Sequence, residues 1–185
     1  SPDAPAAPPR GVNLGGWLVM ENWLFPNVLL LRMGSKGIMD NSELDYLLRM
    51  RERGIDDVGS MHDHYNQFLG VGPNGEGLLE ATAPPPRLAA LAAAGVKSVR
   101  IPIGYWSLEA PTQEVRVLGG DFAHDYERPG VTSEGFVTGA ATYLRAACRW
   151  LRVLNMTAVV DMHSLPGGAV RNMGYTGRYF PSAEA

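Results

Sequence analysis

The chain has 185 residues, with 16 Lys+Arg against 19 Asp+Glu and a formal net charge of −3. That balance argues against a nucleic-acid binder, whose phosphate contacts need a basic face, and 19% charged with 45% hydrophobic residues argues against a disordered tail or a fibre. The single cysteine, Cys148, excludes an internal disulfide framework and a Cys-rich zinc site, and the apolar run around 27–31 is far too short to span a membrane.

Residues 1–9 hold only Ser, Asp, Ala and Pro and read as a flexible lead-in or linker. Residues 10–185 read as one domain. Gly11 to Met20 reads as a glycine-containing strand that enters a loop at Glu21. Asn41 or Ser42 can cap a helix running to about Arg53, with Leu44, Leu47 and Leu48 at helical spacing and Gly54 as its stop. A second helix is predicted over Asp57 to Leu69, followed by a turn-rich loop from Gly70 to Gly77. Three prolines, Pro84 to Pro86, open an Ala-rich helix over Arg87 to Ala94 that Gly95 ends.

Lys97 to Ile103 is the next predicted strand. Val99, Ile101 and Ile103 fall on one face, with Ser98, Arg100 and Pro102 on the other. A long excursion from Gly104 to Gly135 leads to an amphipathic helix over Val137 to Leu154. Asn155 suits the left-handed position that closes that helix, and it also opens the glycosylation sequon Asn155-Met156-Thr157. Thr157 to Met162 is the third strand, and a loop starts at Ser164. Strand, helices, strand, helix, strand implies parallel pairing through crossovers, hence an α/β fold. In a (β/α)₈ barrel the active face lies at the C-terminal strand ends. The alternative, a doubly wound sheet, calls for a GxGxxG loop after the first strand, and Asn13-Leu14-Gly15-Gly16 lacks that spacing.

The polar residues at the strand ends carry the chemistry. Arg100 interrupts an apolar strand, and a guanidinium there calls for a carboxylate. Its partner either ties strands together or sits in an active site. Asp161 and His163 are two apart and share a face. They can contribute to a metal site, form a network in which Asp orients His at a substrate pocket, or be a satisfied buried pair; no further ligand-spaced cluster supports the metal. Glu21 lies near Trp17 and Trp23, and Tyr105 and Trp106 follow the second strand. Acids that accept from vicinal hydroxyls, beside aromatic faces that cover a pyranose, suit a sugar site. Taken singly, each aromatic reads as a core anchor; the placing of Glu21, Arg100, Tyr105, Trp106 and His163 at three successive strand ends favours a site. His62 and His64 do not share a helix face, so His64 and Tyr65 read as packing residues. No G-x-S-x-G elbow is present, and Cys148 reads as buried and inert.

Three segments together resemble a known family. Arg10-Gly-Val-Asn-Leu-Gly-Gly-Trp-Leu-Val-Met-Glu21 resembles the opening of fungal-type exo-β-1,3-glucanases of glycoside hydrolase family 5. Val99-Arg-Ile-Pro-Ile-Gly-Tyr-Trp106 and Val160-Asp-Met-His-Ser-Leu-Pro-Gly167 resemble that family's second and third barrel strands, in the same order. The resemblance implies the N-terminal part, about three strands, of a (β/α)₈ TIM barrel and a retaining glycosidase without cofactor or metal. It implies that Arg100 supports the nucleophile region, that Glu21 and His163 contact the sugar, and that Asp161 belongs to the His163 network. Trp17, Tyr105 and Trp106 join the expected substrate contacts, and His64 matches the family's helix motif before the second strand. The family's acid/base and nucleophile glutamates are expected after later strands, so the 185 residues alone are expected to be inactive. A β-glucan substrate, a monomer and an extracellular or cell-wall location complete the expectation. The rivals are a cellulase-like endo-glycanase of the same clan and a non-catalytic glucan-binding barrel. Two departures bear on the pocket: Glu21-Asn22 stands where the family has Glu-Pro, and Gly168 to Gly177 matches the family's loop poorly.

Overall fold

The computed structural model describes residues 10–21, 43–72, 77–108, 130–132 and 135–165, the side chain of Asp45 excepted. The lead-in, Asn22 and Trp23, the expected caps Asn41 and Ser42, most of the excursion after the second strand and the loop beyond Leu165 lie outside the described residues.

Three strands form the sheet: β1 (Arg10–Asn13), β2 (Val96–Gly104) and β3 (Thr157–Ser164). They lie in the order β1-β2-β3, both pairs parallel, with Val12 opposite Val99 and Pro102 opposite Asp161. Parallel neighbours need crossovers. Helices α1 (Glu43–Glu52), α2 (Asp57–Phe68) and α3 (Pro86–Ala93) lie between β1 and β2, and α4 (Ala140–Val153) lies between β2 and β3. This is the α/β arrangement of the opening units of a (β/α)₈ barrel.

The alternation expected in β2 holds as far as Ile101, while Pro102, expected on the open face, is buried like its neighbours. Val99, Ile101 and Ile103 are buried, while Ser98 and Arg100 are partly open on the other face. The buried face joins one core with Leu88 of α3 and with Tyr143, Ala147 and Leu151 of α4. Strand β3 runs on to Ser164, where a loop was expected, and two boundaries differ by three residues or more. The first strand is shorter than Gly11 to Met20, because the chain turns at Gly16 (φ 75°), and only Leu18 returns to pair with Ile103. The last helix starts at Ala140 rather than Val137, because Val137 pairs with Val131 and Gly139 adopts φ 100°. A residue with φ that positive lies outside the helical region, so the helix begins after it.

The helix stops are as read. Gly54 (φ 67°) follows α1, Gly95 (φ 82°) follows α3, and Asn155 (φ 54°) closes α4 with its N–H donating to Arg152 O at 3.1 Å. Asp56 caps α2, its carboxylate accepting from Gly59 N–H at 3.1 Å. One buried pair had no sequence signal: Arg51 near the end of α1 contacts Asp57, the first residue of α2, at 2.6 Å, and donates to Gly135 O at 2.6 Å. It fixes the angle between two helices and ties both to the segment entering α4.

Candidate functional site

The polar cluster lies at the C-terminal ends of the strands, on the sheet face opposite the core. Arg100 projects from β2 and donates from Nη2 to Asp161 Oδ2 of β3 at 2.6 Å. The same Oδ2 lies 2.9 Å from His163 Nδ1. A carboxylate only accepts, so at that distance Nδ1 carries the proton and donates to Asp161. Arg100 Nη2, 3.2 Å from Nδ1, then touches the ring without hydrogen bonding to it. Asp161 thus orients both neighbours and turns His163 Nε2 outward. Nε2 faces Glu21 Oε1 across 3.9 Å.

Glu21 reaches this point through a tightly pinned loop. Leu14 N–H donates to Arg100 O at 2.9 Å, extending the β1–β2 contact by one residue. Gly16 N–H donates to Glu21 Oε2 at 2.8 Å, closing residues 16–21 on themselves. From α2, His64 Nε2–H reaches the carbonyls of Gly16 and Trp17, at 3.0 and 3.1 Å. Burial holds the His64 ring below its ordinary pKa, which favours the neutral form that makes these bonds with a single N–H. Its reading as a packing residue becomes specific: it locks the loop that delivers Glu21.

The expected substrate aromatics stand differently. Trp17 is fully buried, its indole N–H donates to Tyr65 O at 3.0 Å, and its ring stacks on Phe68. Trp106 is 1% exposed, stacks on Phe136 with centroids 4.1 Å apart, and donates to Glu43 at 2.9 Å. Tyr105 is buried edge-on against both Trp106 and Phe136. These rings serve as core anchors, and the face that a sugar would need is taken up by protein. Their positions at strand ends suit either use, which is why the residue types alone do not separate the two.

A second correction concerns Arg100. Its side chain is 40% exposed and that of Asp161 30%, so the pair is not the deeply buried one that an apolar strand suggests. Its contribution to stability is at most about 1 kcal/mol, and its value lies in orientation. Sequence reasoning missed Glu43. It reads as an ordinary acid in the first turn of a helix, yet it is buried between the Glu21 loop and Trp106. Its only signal is its place at the start of α1, where an acid is ordinary. Among the described residues no group of three or more His, Cys, Asp and Glu is placed to hold a metal ion, and no helix is long and apolar enough to cross a membrane. The remaining array is a guanidinium, two carboxylates and an imidazole. It offers donors and acceptors side by side, the pattern that binds hydroxyl pairs.

No family model matches the chain. Curated relatives do. A probable glucan 1,3-β-glucosidase A of Emericella nidulans is 31% identical over 158 residues, 85% of this chain and 29% of the relative. Glucan 1,3-β-glucosidase 1 of Schizosaccharomyces pombe is 29% identical over 171 residues, 91% of this chain and 33% of the relative. Glucan endo-1,6-β-glucosidase B of E. nidulans is 25% identical over 173 residues, 94% of this chain and 34% of the relative. The chain therefore spans about a third or less of the length of the relatives it matches. Among solved structures, a rutinosidase from Aspergillus niger superposes with a TM-score of 0.53 at 21% identity, covering 93% of this chain and 38% of that one. A second structure, AoRut, gives a TM-score of 0.54 at 22% identity, covering 92% and 36%. These two likenesses establish the fold, the α/β partial barrel described above.

Proposed function

We propose that this chain, a fragment-level match to the glucan 1,3-β-glucosidases, forms part of the sugar pocket of a retaining β-glucan hydrolase that acts on β-1,3-glucosidic bonds. The observation that carries the reading is the Glu21–His163–Asp161–Arg100 array, drawn from the loop after β1 and from strands β2 and β3. Two neighbouring sugar hydroxyls lying beside the 3.9 Å gap between Glu21 and His163 can donate, one to the carboxylate and one to the acceptor Nε2. Arg100 and Asp161 hold the imidazole so that the pocket is formed before the sugar arrives, which lowers the ordering cost of binding.

Retaining hydrolysis needs two carboxyl groups about 5 Å apart, one a nucleophile and one an acid/base. Glu21 is engaged by Gly16 N–H, and Asp161 by Arg100 and His163, so both are suited to holding rather than attacking. The 185 residues alone are accordingly expected to bind without turnover. The reading carries an extracellular or cell-wall location with it, since a polymeric glucan is met outside the cell.

Calorimetry with a β-1,3-gluco-oligosaccharide tests the binding role. Glu21→Gln, which removes the charge that the hydroxyl meets, should weaken binding about tenfold or more, since hydrogen bonds to charged groups are worth about 1.5–3 kcal/mol. Unchanged affinity would remove the sugar from this site. For the complete enzyme, product analysis on β-1,3- and β-1,6-glucans decides linkage. Glucose from the β-1,3-polymer is expected; oligosaccharides, or release from the β-1,6-polymer alone, would replace the exo-β-1,3 reading.

A further inference from the structure

Glu43 is 2% exposed and lies at the start of α1, outside the polar cluster. Its two oxygens are shared between two distant parts of the chain. Oε2 accepts from the backbone N–H of Met20 at 3.1 Å, and Oε1 accepts from the indole N–H of Trp106 at 2.9 Å. Met20 immediately precedes Glu21, and Trp106 lies in the 3₁₀ turn Tyr105–Leu108 that follows β2. The carboxylate therefore joins the loop after the first strand to the turn after the second. A weaker strap runs beside it, with Ser107 Oγ donating to Leu18 O at 3.4 Å.

A carboxyl group buried this deeply is costly unless its oxygens are used, and cores ordinarily tie such segments with apolar contacts. Trp106 already has those contacts through Phe136. What the carboxyl group adds is direction: it fixes the peptide that sets where the Glu21 side chain starts. Resting on the sugar-pocket reading above, we propose that Glu43 is a positioning residue for that pocket, bracketing Met20 and Trp106 so that Glu21 stays in register with His163. It touches no sugar. Burial pushes its carboxyl group up to about 7 against the two hydrogen bonds that pull it down, and burial, with the Glu43 charge adding to it, raises the phenol of Tyr65 on α2.

The test uses the full chain, its Glu43→Gln and Glu21→Gln variants, and a β-1,3-gluco-oligosaccharide as probe. A glutamine presents one acceptor in place of two, so either Met20 N–H or Trp106 N–H loses its partner. The indole N–H resonance of Trp106 should titrate with a midpoint near 7 in the parent chain, and the titration should vanish in Glu43→Gln. Sugar affinity should fall about tenfold in Glu43→Gln, in line with the cost of misplacing a binding group by a fraction of an ångström. In the parent chain it should change with the same midpoint as the indole signal, a readout that does not depend on the variant folding. A Trp106 indole N–H resonance unchanged in Glu43→Gln would overturn the bracket. So would Glu43→Gln binding sugar like the parent while Glu21→Gln is impaired. If Glu21→Gln itself binds normally, the pocket reading falls, and the Trp106 indole N–H resonance in Glu43→Gln still reports whether the bracket exists.

Discussion

At the scale of single residues, one carboxylate oxygen organises the site. Asp161 Oδ2 receives both Arg100 and His163 Nδ1, so it sets the ring orientation and the position of the guanidinium together. Asp161→Ala should release both. Because the pair is partly exposed, the loss of stability should stay within about 1 kcal/mol, while sugar affinity falls several-fold more than that loss implies. Denaturant unfolding and calorimetry on the same sample check the split; a large stability loss with unchanged affinity would make Asp161 a structural tie only. The pairing of Asp161 with His163 was legible in sequence, because residues two apart on a strand share a face and Arg100 needed an acid. The fate of Trp17 and Trp106 was not. An indole at a strand end either faces solvent or packs inward, depending on residues such as Phe68 and Phe136 that sequence spacing does not bring together.

At the scale of elements, close approach explains what periodicity could not. Gly104 ends β2 where the ladder to β3 shifts register, and a Cβ there would meet the Trp106 ring at 2.5 Å. A packed indole is not the flexible tip of a side chain, so Gly104→Ala must displace it. The expected cost is about 1–3 kcal/mol, typical of overpacking, with loss of the Trp106–Glu43 bond as its signature in the indole N–H resonance. Thermal unfolding equal to the parent would show that the turn yields instead. Helix stops at Gly54, Gly95 and Asn155 were readable because each takes a left-handed conformation that few residues tolerate. The start of α4 was misread because Val137, apolar and in phase with the helix, is used in a bridge to Val131. Periodicity does not see a partner across a loop.

At the scale of the whole molecule, buried ionisable groups give the chain its pH dependence. The carboxyl group of Glu43, ordinarily at 4.5, is pushed up to about 7. Between those values the folded chain keeps a proton that the unfolded chain has released, so this group's contribution falls as pH rises through the window. His62 and His64 act in the opposite sense. Burial lowers both, so stability is lost as pH falls below their ordinary 6.5. Relative to Glu43→Gln, which carries no titrating group at this position, the parent's melting temperature should therefore decline between pH 5 and pH 8. Parallel curves would show that the buried carboxyl group does not titrate in that range. The overall α/β order and the parallel sheet were legible because each strand and crossover announced itself by pattern. The buried ties Arg51–Asp57 and Glu43–Trp106 were not, since they join segments 6 and 63 residues apart whose meeting depends on the finished fold.

Glu21 and His163 each accept from one of two neighbouring sugar hydroxyls in this pocket, and the His163 side-chain NMR signal reports that contact during titration with a β-1,3-gluco-oligosaccharide. The Nε2 resonance should shift saturably, the Nδ1 proton bonded to Asp161 should be retained, and Glu21→Gln should move the shift to about tenfold or more higher sugar. An Nε2 signal that stays fixed while the sugar binds would contradict this reading.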